Sequence, residues 1–250
     1  MTTVRGTGIY HEVHGAGEPV LLLHGGFSTL ETMRPQLEAL SGEYAVHAPE
    51  RPGHGRSPDR AGAFNYGESV ADTIAYLDAV GVERAHIVGF SDGAIIGLLI
   101  ALQHPGRIRS LVAISGNLDP SGFAFDDDGS EGEPDVSSET DREPDRDRER
   151  YGALSPDGPE HADVVVEKLM RLWTTEPSIA PADLARITVP TMIMAGDSDV
   201  IRLEHTALMA RSIPGAQLCI VPNAGHDLLD TRGAFVTFAV TEFLSEVAPR

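Results

Sequence analysis

The chain has 250 residues, 41% of them hydrophobic, which is enough to bury a sizeable core and excludes a disordered tail or a fibrous repeat. Acidic residues outnumber basic ones 38 to 19, and the formal charge of −19 repels phosphate backbones and anionic lipid, so nucleic-acid and membrane roles are disfavoured. Cys219 is the single cysteine, which excludes an internal disulfide and any multi-cysteine metal site.

Residues 1–7 contain no apolar stretch of signal-peptide kind. The longest apolar run, 94–102, is interrupted by Gly97 and is too short to cross a bilayer. The expectation is a soluble cytoplasmic protein, monomer or homodimer, acting on a small molecule.

Along the chain, 20–23 is a continuous apolar run closing on His24-Gly25-Gly26, the pattern of a buried strand and its turn. Helical spacing follows at 31–40, then strand character at 44–48 up to Pro49. Residues 66–80 form a helix with Val70, Ile74, Leu77 and Val80 on one face, stopped by Gly81. A strand over 85–90, a buried helix over 92–104 and a strand over 108–115 come next. Residues 126–150 carry 12 acidic and 4 basic side chains with Val136 as the only apolar one, so this stretch is expected to be a mobile solvated loop.

Beyond it, 161–173 is helical, with Val165, Leu169, Leu172 and Trp173 along one side. A strand over 191–195, a helix over 203–212, a strand over 217–221 and a helix over 235–247 complete the chain. Strands alternating with helices imply βαβ units and a mostly parallel sheet covered on both faces. Residues 118–185 break the alternation and read as an insertion over one end of a single domain.

The chemistry concentrates at strand ends. Gly89-Phe90-Ser91-Asp92-Gly93 falls between a predicted strand and a predicted helix, where glycines two residues either side of a serine allow a sharp turn that lifts its hydroxyl onto the helix N-terminus. Upstream, His24-Gly25-Gly26-Phe27 leaves backbone N–H groups near that serine, so Gly26 and Asp92 are the expected amides of an oxyanion hole. Downstream, Asp197 and Asp199 follow one strand and His226 follows the next. A serine becomes nucleophilic when an imidazole takes its proton and a carboxylate holds that imidazole. Ser91, Asp199 and His226 are the expected set, with Asp197 as the alternative acid.

With Arg51-Pro52-Gly53-His54-Gly55-Arg56-Ser57, these segments make the chain resemble the α/β-hydrolase-fold serine hydrolases over nearly its full length. The resemblance implies an eight-stranded, mostly parallel sheet, a cap between strands six and seven, nucleophile Ser91, acid Asp199, base His226, no cofactor and no metal. Ser91-Asp92-Gly93 before an Ile-rich helix is similar to the biphenyl-hydrolase-like group, which implies that Asp92 recognises a substrate amino group. Capping of the following helix is the other reading of the same side chain. The Glu50-Arg51-Pro52-Gly53 loop is read as structural, its arginine and carboxylate tying strands together near the site without a catalytic role.

The expected reaction is hydrolysis of a small ester, lactone or activated amide through an acyl-serine intermediate. Phe27, Phe90, Met170 and Trp173 are candidates for an apolar pocket wall, or for core packing. The same fold also supports carbon–carbon cleavage of vinylogous ketones, perhydrolysis and non-hydrolytic ligand reception. Aspartate-nucleophile chemistry is disfavoured by the serine at 91.

Overall fold

The computed structural model describes residues 1–124 and 143–247. β1 (Thr2–Val4) and β2 (Thr7–Ile9) pair only with each other, antiparallel. The main sheet consists of β3 (His11–His14), β4 (Glu18–Leu23), β5 (Tyr44–Pro49), β6 (Ala85–Phe90), β7 (Ile108–Ile114), β8 (Thr191–Gly196) and β9 (Gln217–Val221). Their order is β3-β5-β4-β6-β7-β8-β9, with β3 antiparallel and the rest parallel. Among the described residues this sheet therefore has seven strands where eight were expected, because the N-terminal hairpin stands apart from it.

The helices are α1 (Arg34–Leu40), α2 (Tyr66–Ala79), α3 (Asp92–Gln103), α4 (Glu143–Leu154), α5 (Ala162–Thr175), α6 (Leu203–Ser212), α7 (Leu228–Thr231) and α8 (Gly233–Val247). They divide between the two faces of the sheet as the strand period of two requires. Leu21, Leu23, Ile87, Leu111, Ala113 and Ile193 pack with α2, α3, α5 and α6. Their alternating neighbours Val20, Leu22, Val88, Val112, Met192 and Met194 pack with α1 and α8. Strands buried on both faces must be apolar at nearly every position, which is why 20–23 reads as an unbroken run.

The acidic segment needs one correction. Residues 126–142 lie outside the described part, but 143–150 belong to α4. What orders that helix is tertiary: Tyr151 is buried and stacks on Phe27, ring centroids 5.6 Å apart at 11°, and Arg148 reaches Asp163 on α5 at 2.7 Å. Among the described residues no helix is long and apolar enough to cross a membrane.

Because β4 to β9 run parallel, their carboxyl ends share one edge, where ligands of open α/β sheets bind. Of the five non-glycine residues with left-handed φ among those described, Phe27, Ser91, Ser115 and Asn223 each follow a strand at this edge. Backbone strain of this kind persists only where surrounding structure enforces it.

Candidate functional site

Ser91 sits between β6 and α3 with φ 52° and ψ −116°, its N–H donating to the Ile114 carbonyl at 2.8 Å. The turn requires the flanking glycines. A Cβ at Gly89 would collide with the Gly93 carbonyl, and one at Gly93 with the Leu23 carbonyl. The helix starting here has its first N–H groups free of intrahelical acceptors, and Asp92 supplies the first of them.

His226 lies in the loop after β9. Its Nε2 is 3.1 Å from Ser91 Oγ and its Nδ1 is 2.8 Å from Asp199 Oδ1, so the three side chains form one hydrogen-bonded line. The acceptor Asp199 fixes the neutral tautomer, with the proton on Nδ1 and the Nε2 lone pair facing the hydroxyl. Asp199 is anchored in turn by the Ser115 hydroxyl on Oδ2 at 2.5 Å and the Ile201 N–H on Oδ1 at 3.1 Å.

Opposed forces set the two pKa values. Burial lowers that of His226, but the charge and hydrogen bond of Asp199, helped by Asp92 and Asp227, outweigh it and the net direction is upward. Burial raises that of Asp199, yet the His226 contact, the Ser115 hydroxyl and the Ile201 N–H bring it below the usual range. Asp197, the alternative acid, is engaged elsewhere. Its carboxylate accepts the N–H groups of Asn223 at 2.9 Å and Ala224 at 3.1 Å, which organises the turn leading to His226.

Asp92 departs from both sequence-level readings of its side chain. It is 1% exposed. Oδ1 accepts from Tyr66 Oη at 2.8 Å and Trp173 Nε1 at 2.9 Å, and Oδ2 accepts from Arg51 Nη2 at 3.2 Å and Nη1 at 3.3 Å. Ser91 occupies the N-cap position and no side chain caps α3. The carboxylate is a buried anchor rather than a helix cap or an open recognition group.

Gly26 is required because the Trp173 indole from α5 lies against it. A Cβ there would strike the ring and come within 2.9 Å of Asp92 Oδ2. The other pocket candidates scatter. Phe27 stacks on Tyr151, and Phe90 is buried with its ring 5.1 Å from that of His226. Met170 on α5 is exposed, while Leu169 and Leu172 on the same helix are buried. A cavity of about 210 Å³ opens beside Arg51 between the 60–65 loop, α2 and α5, and neither Ser91, Asp199 nor His226 borders it. Among the described residues no group of three or more His, Cys, Asp or Glu side chains gathers to hold a metal ion.

Ser115 escaped sequence reasoning, although it carried a signal, a hydroxyl at the end of a parallel strand on this edge. Arg51 was expected to tie strands together near the site, and it joins the loop after β4 to the turn after β6 through Gly25 and Asp92.

Residues 20–238 match the alpha/beta hydrolase family. The chain is similar to the RutD protein of Azorhizobium caulinodans, 41% identical over 115 residues, which is 46% of this chain and 43% of that protein. It is 27% identical to RutD of Variovorax paradoxus over 280 residues, 96% of this chain and 97% of that one. It thus spans less than half the length of the first relative and nearly all of the second. Among solved structures it resembles the meta-cleavage product hydrolase CumD of Pseudomonas fluorescens, with a TM-score of 0.81 and 25% identity over 99% of this chain and 97% of that one. With a family match spanning most of its length, the chain belongs to the alpha/beta hydrolase family.

Proposed function

We propose that the protein cleaves a small-molecule ester, lactone, carbamate or activated amide through an acyl-serine intermediate on Ser91. The observation that carries this reading is the continuous line from Ser91 Oγ through His226 to Asp199, with separations of 3.1 and 2.8 Å. Ser91 Oγ attacks the carbonyl carbon as its proton passes to His226 Nε2. The resulting oxyanion accepts the N–H groups of Gly26 and Asp92. Collapse expels the leaving group, which takes the Nε2 proton. Water then attacks the acyl carbon, giving its proton to Nε2, and the acid leaves as Ser91 regains its hydrogen. Carbamate enters the substrate class because the RutD relatives are named for carbamate hydrolysis.

A fluorophosphonate probe tests the nucleophile. Labelling of the wild type and loss of labelling in Ser91→Ala is the expected result, and labelling that survives the substitution removes Ser91 from the mechanism. The similarity to CumD favours one second reading, carbon–carbon bond hydrolysis. Turnover of a meta-cleavage dienone without hydrolysis of p-nitrophenyl acetate would select it.

A further inference from the structure

Both amides assigned to the oxyanion hole depend on one guanidinium. Gly26 N–H belongs to the same peptide unit as the Gly25 carbonyl, and in a planar trans peptide the two point in opposite directions, so whatever fixes the oxygen fixes the N–H. Two buried donors hold that oxygen, His24 Nδ1 at 2.8 Å and Arg51 Nη2 at 2.7 Å. His24 Nε2 accepts the backbone N–H of Arg51 at 3.0 Å, which leaves Nδ1 as the protonated nitrogen. Burial, then the neighbouring charges of Arg51 and the His54 ring, hold the His24 pKa well below its ordinary value, so the ring keeps this neutral tautomer.

The second amide belongs to Asp92, and the same Arg51 fork grips Oδ2 of that residue. Arg51 is 8% exposed, and its guanidinium bridges the loop after β4 to the turn after β6. Its hydrogen bonds run to the Gly25 carbonyl and to Asp92 Oδ2. Its planar arrangement of donors serves two acceptors at once, which a single ammonium group cannot reproduce in geometry.

We infer that Arg51 is the positioning residue of the oxyanion hole, setting the Gly26 and Asp92 amides relative to each other. This rests on the acyl-serine reading above. Misaligned donors weaken a tetrahedral anion while leaving binding of the planar substrate intact, so kcat falls and KM stays.

The test uses the full chain, p-nitrophenyl acetate as substrate and phenylboronic acid, whose adduct with Ser91 places an oxygen in the hole. Arg51→Lys is expected to lower kcat by about tenfold to hundredfold, less than the ~10²–10³ lost with an entire donor. KM should change by less than about threefold, and the boronate Ki should rise by the same factor as kcat falls. An unchanged kcat, a loss confined to KM, or a fall in kcat with an unchanged boronate Ki overturns the assignment. If Arg51→Lys does not fold, His24→Gln, which disturbs the other donor to the Gly25 carbonyl, is read in the same way. Parallel movement of kcat and Ki supports the clamp, and no movement overturns it. Fluorophosphonate labelling of each variant keeps the two readings separate. A variant that still labels at Ser91 retains the nucleophile, whereas a wild type that does not label defeats the acyl-serine reading itself.

Discussion

Gly26→Ala probes how α5 meets the sheet edge that carries Ser91. The added methyl would enter the Trp173 indole and approach Asp92 Oδ2 to 2.9 Å, so the ring must move or the loop must distort. Overpacking of this kind costs about 1–3 kcal/mol. At about 2–4 °C per kcal/mol for a chain of this size, Tm should fall by about 2–12 °C if the ring stays and the strain is retained. If the indole swings away, the strain is relieved but the 2.9 Å bond from Trp173 Nε1 to Asp92 Oδ1 is lost. Trp173 is the only tryptophan in the chain, so intrinsic fluorescence reports this contact without interference. Thermal melting and acrylamide quenching together cover both outcomes, with a lowered Tm in the first case and a red-shifted, more quenchable emission in the second. A folded variant with wild-type Tm, emission maximum and quenching would refute the packing of Trp173 on Gly26.

The raised pKa of His226 gives a direction for the pH dependence. In the proposed mechanism His226 acts as neutral imidazole, so kcat/KM for p-nitrophenyl acetate should fall on the acid side with a midpoint above the ordinary histidine value of about 6.5. Asp199→Asn removes the main upward influence and leaves the burial, so that midpoint should move down while kcat drops by about 10⁴ through loss of the tautomer lock; an unmoved midpoint would show that Asp199 does not set it. Ser115→Ala removes a charge-assisted bond from a fully buried carboxylate. Its expected cost is about 1–3 kcal/mol, read as a fall in Tm of about 2–12 °C, and an unchanged Tm would mean the hydroxyl contributes nothing.

The parts of this molecule legible in its sequence are those whose cause is local. The strands 85–90 and 217–221 and the helix 203–212 match their predicted ends because apolar runs and turn residues bound them. Ser91 and its glycines were legible because a tight turn leaves few residue choices. The hairpin β1–β2 and the edge strand β3 were not, since strands of three or four residues carry too little pattern. Helix α4 was hidden for a different reason. Its charges argue for solvent, and what holds it is a stack with Phe27 and an ion pair to α5, both distant in sequence. Arg51 and Ser115 act through partners 41 and 84 positions away, and no local spacing encodes such pairs.

Asp92 shows how burial changes what a carboxylate can do. An ionised carboxylate offers about four lone-pair sites. Two are taken by the Arg51 fork, one by the Tyr66 hydroxyl and one by the Trp173 indole. Burial and then the Asp92 charge push the tyrosine pKa well above its ordinary value, so that hydroxyl remains a donor. An ammonium group seeking this carboxylate would have to displace one of these partners and lie beside a guanidinium, and like charges repel strongly where water is excluded. The amino-group recognition implied by the biphenyl-hydrolase-like resemblance therefore requires a disposition of charge that this site does not have. Here the acid beside Ser91 binds protein, tying α2, α5 and the loop after β5 to the turn that presents Ser91.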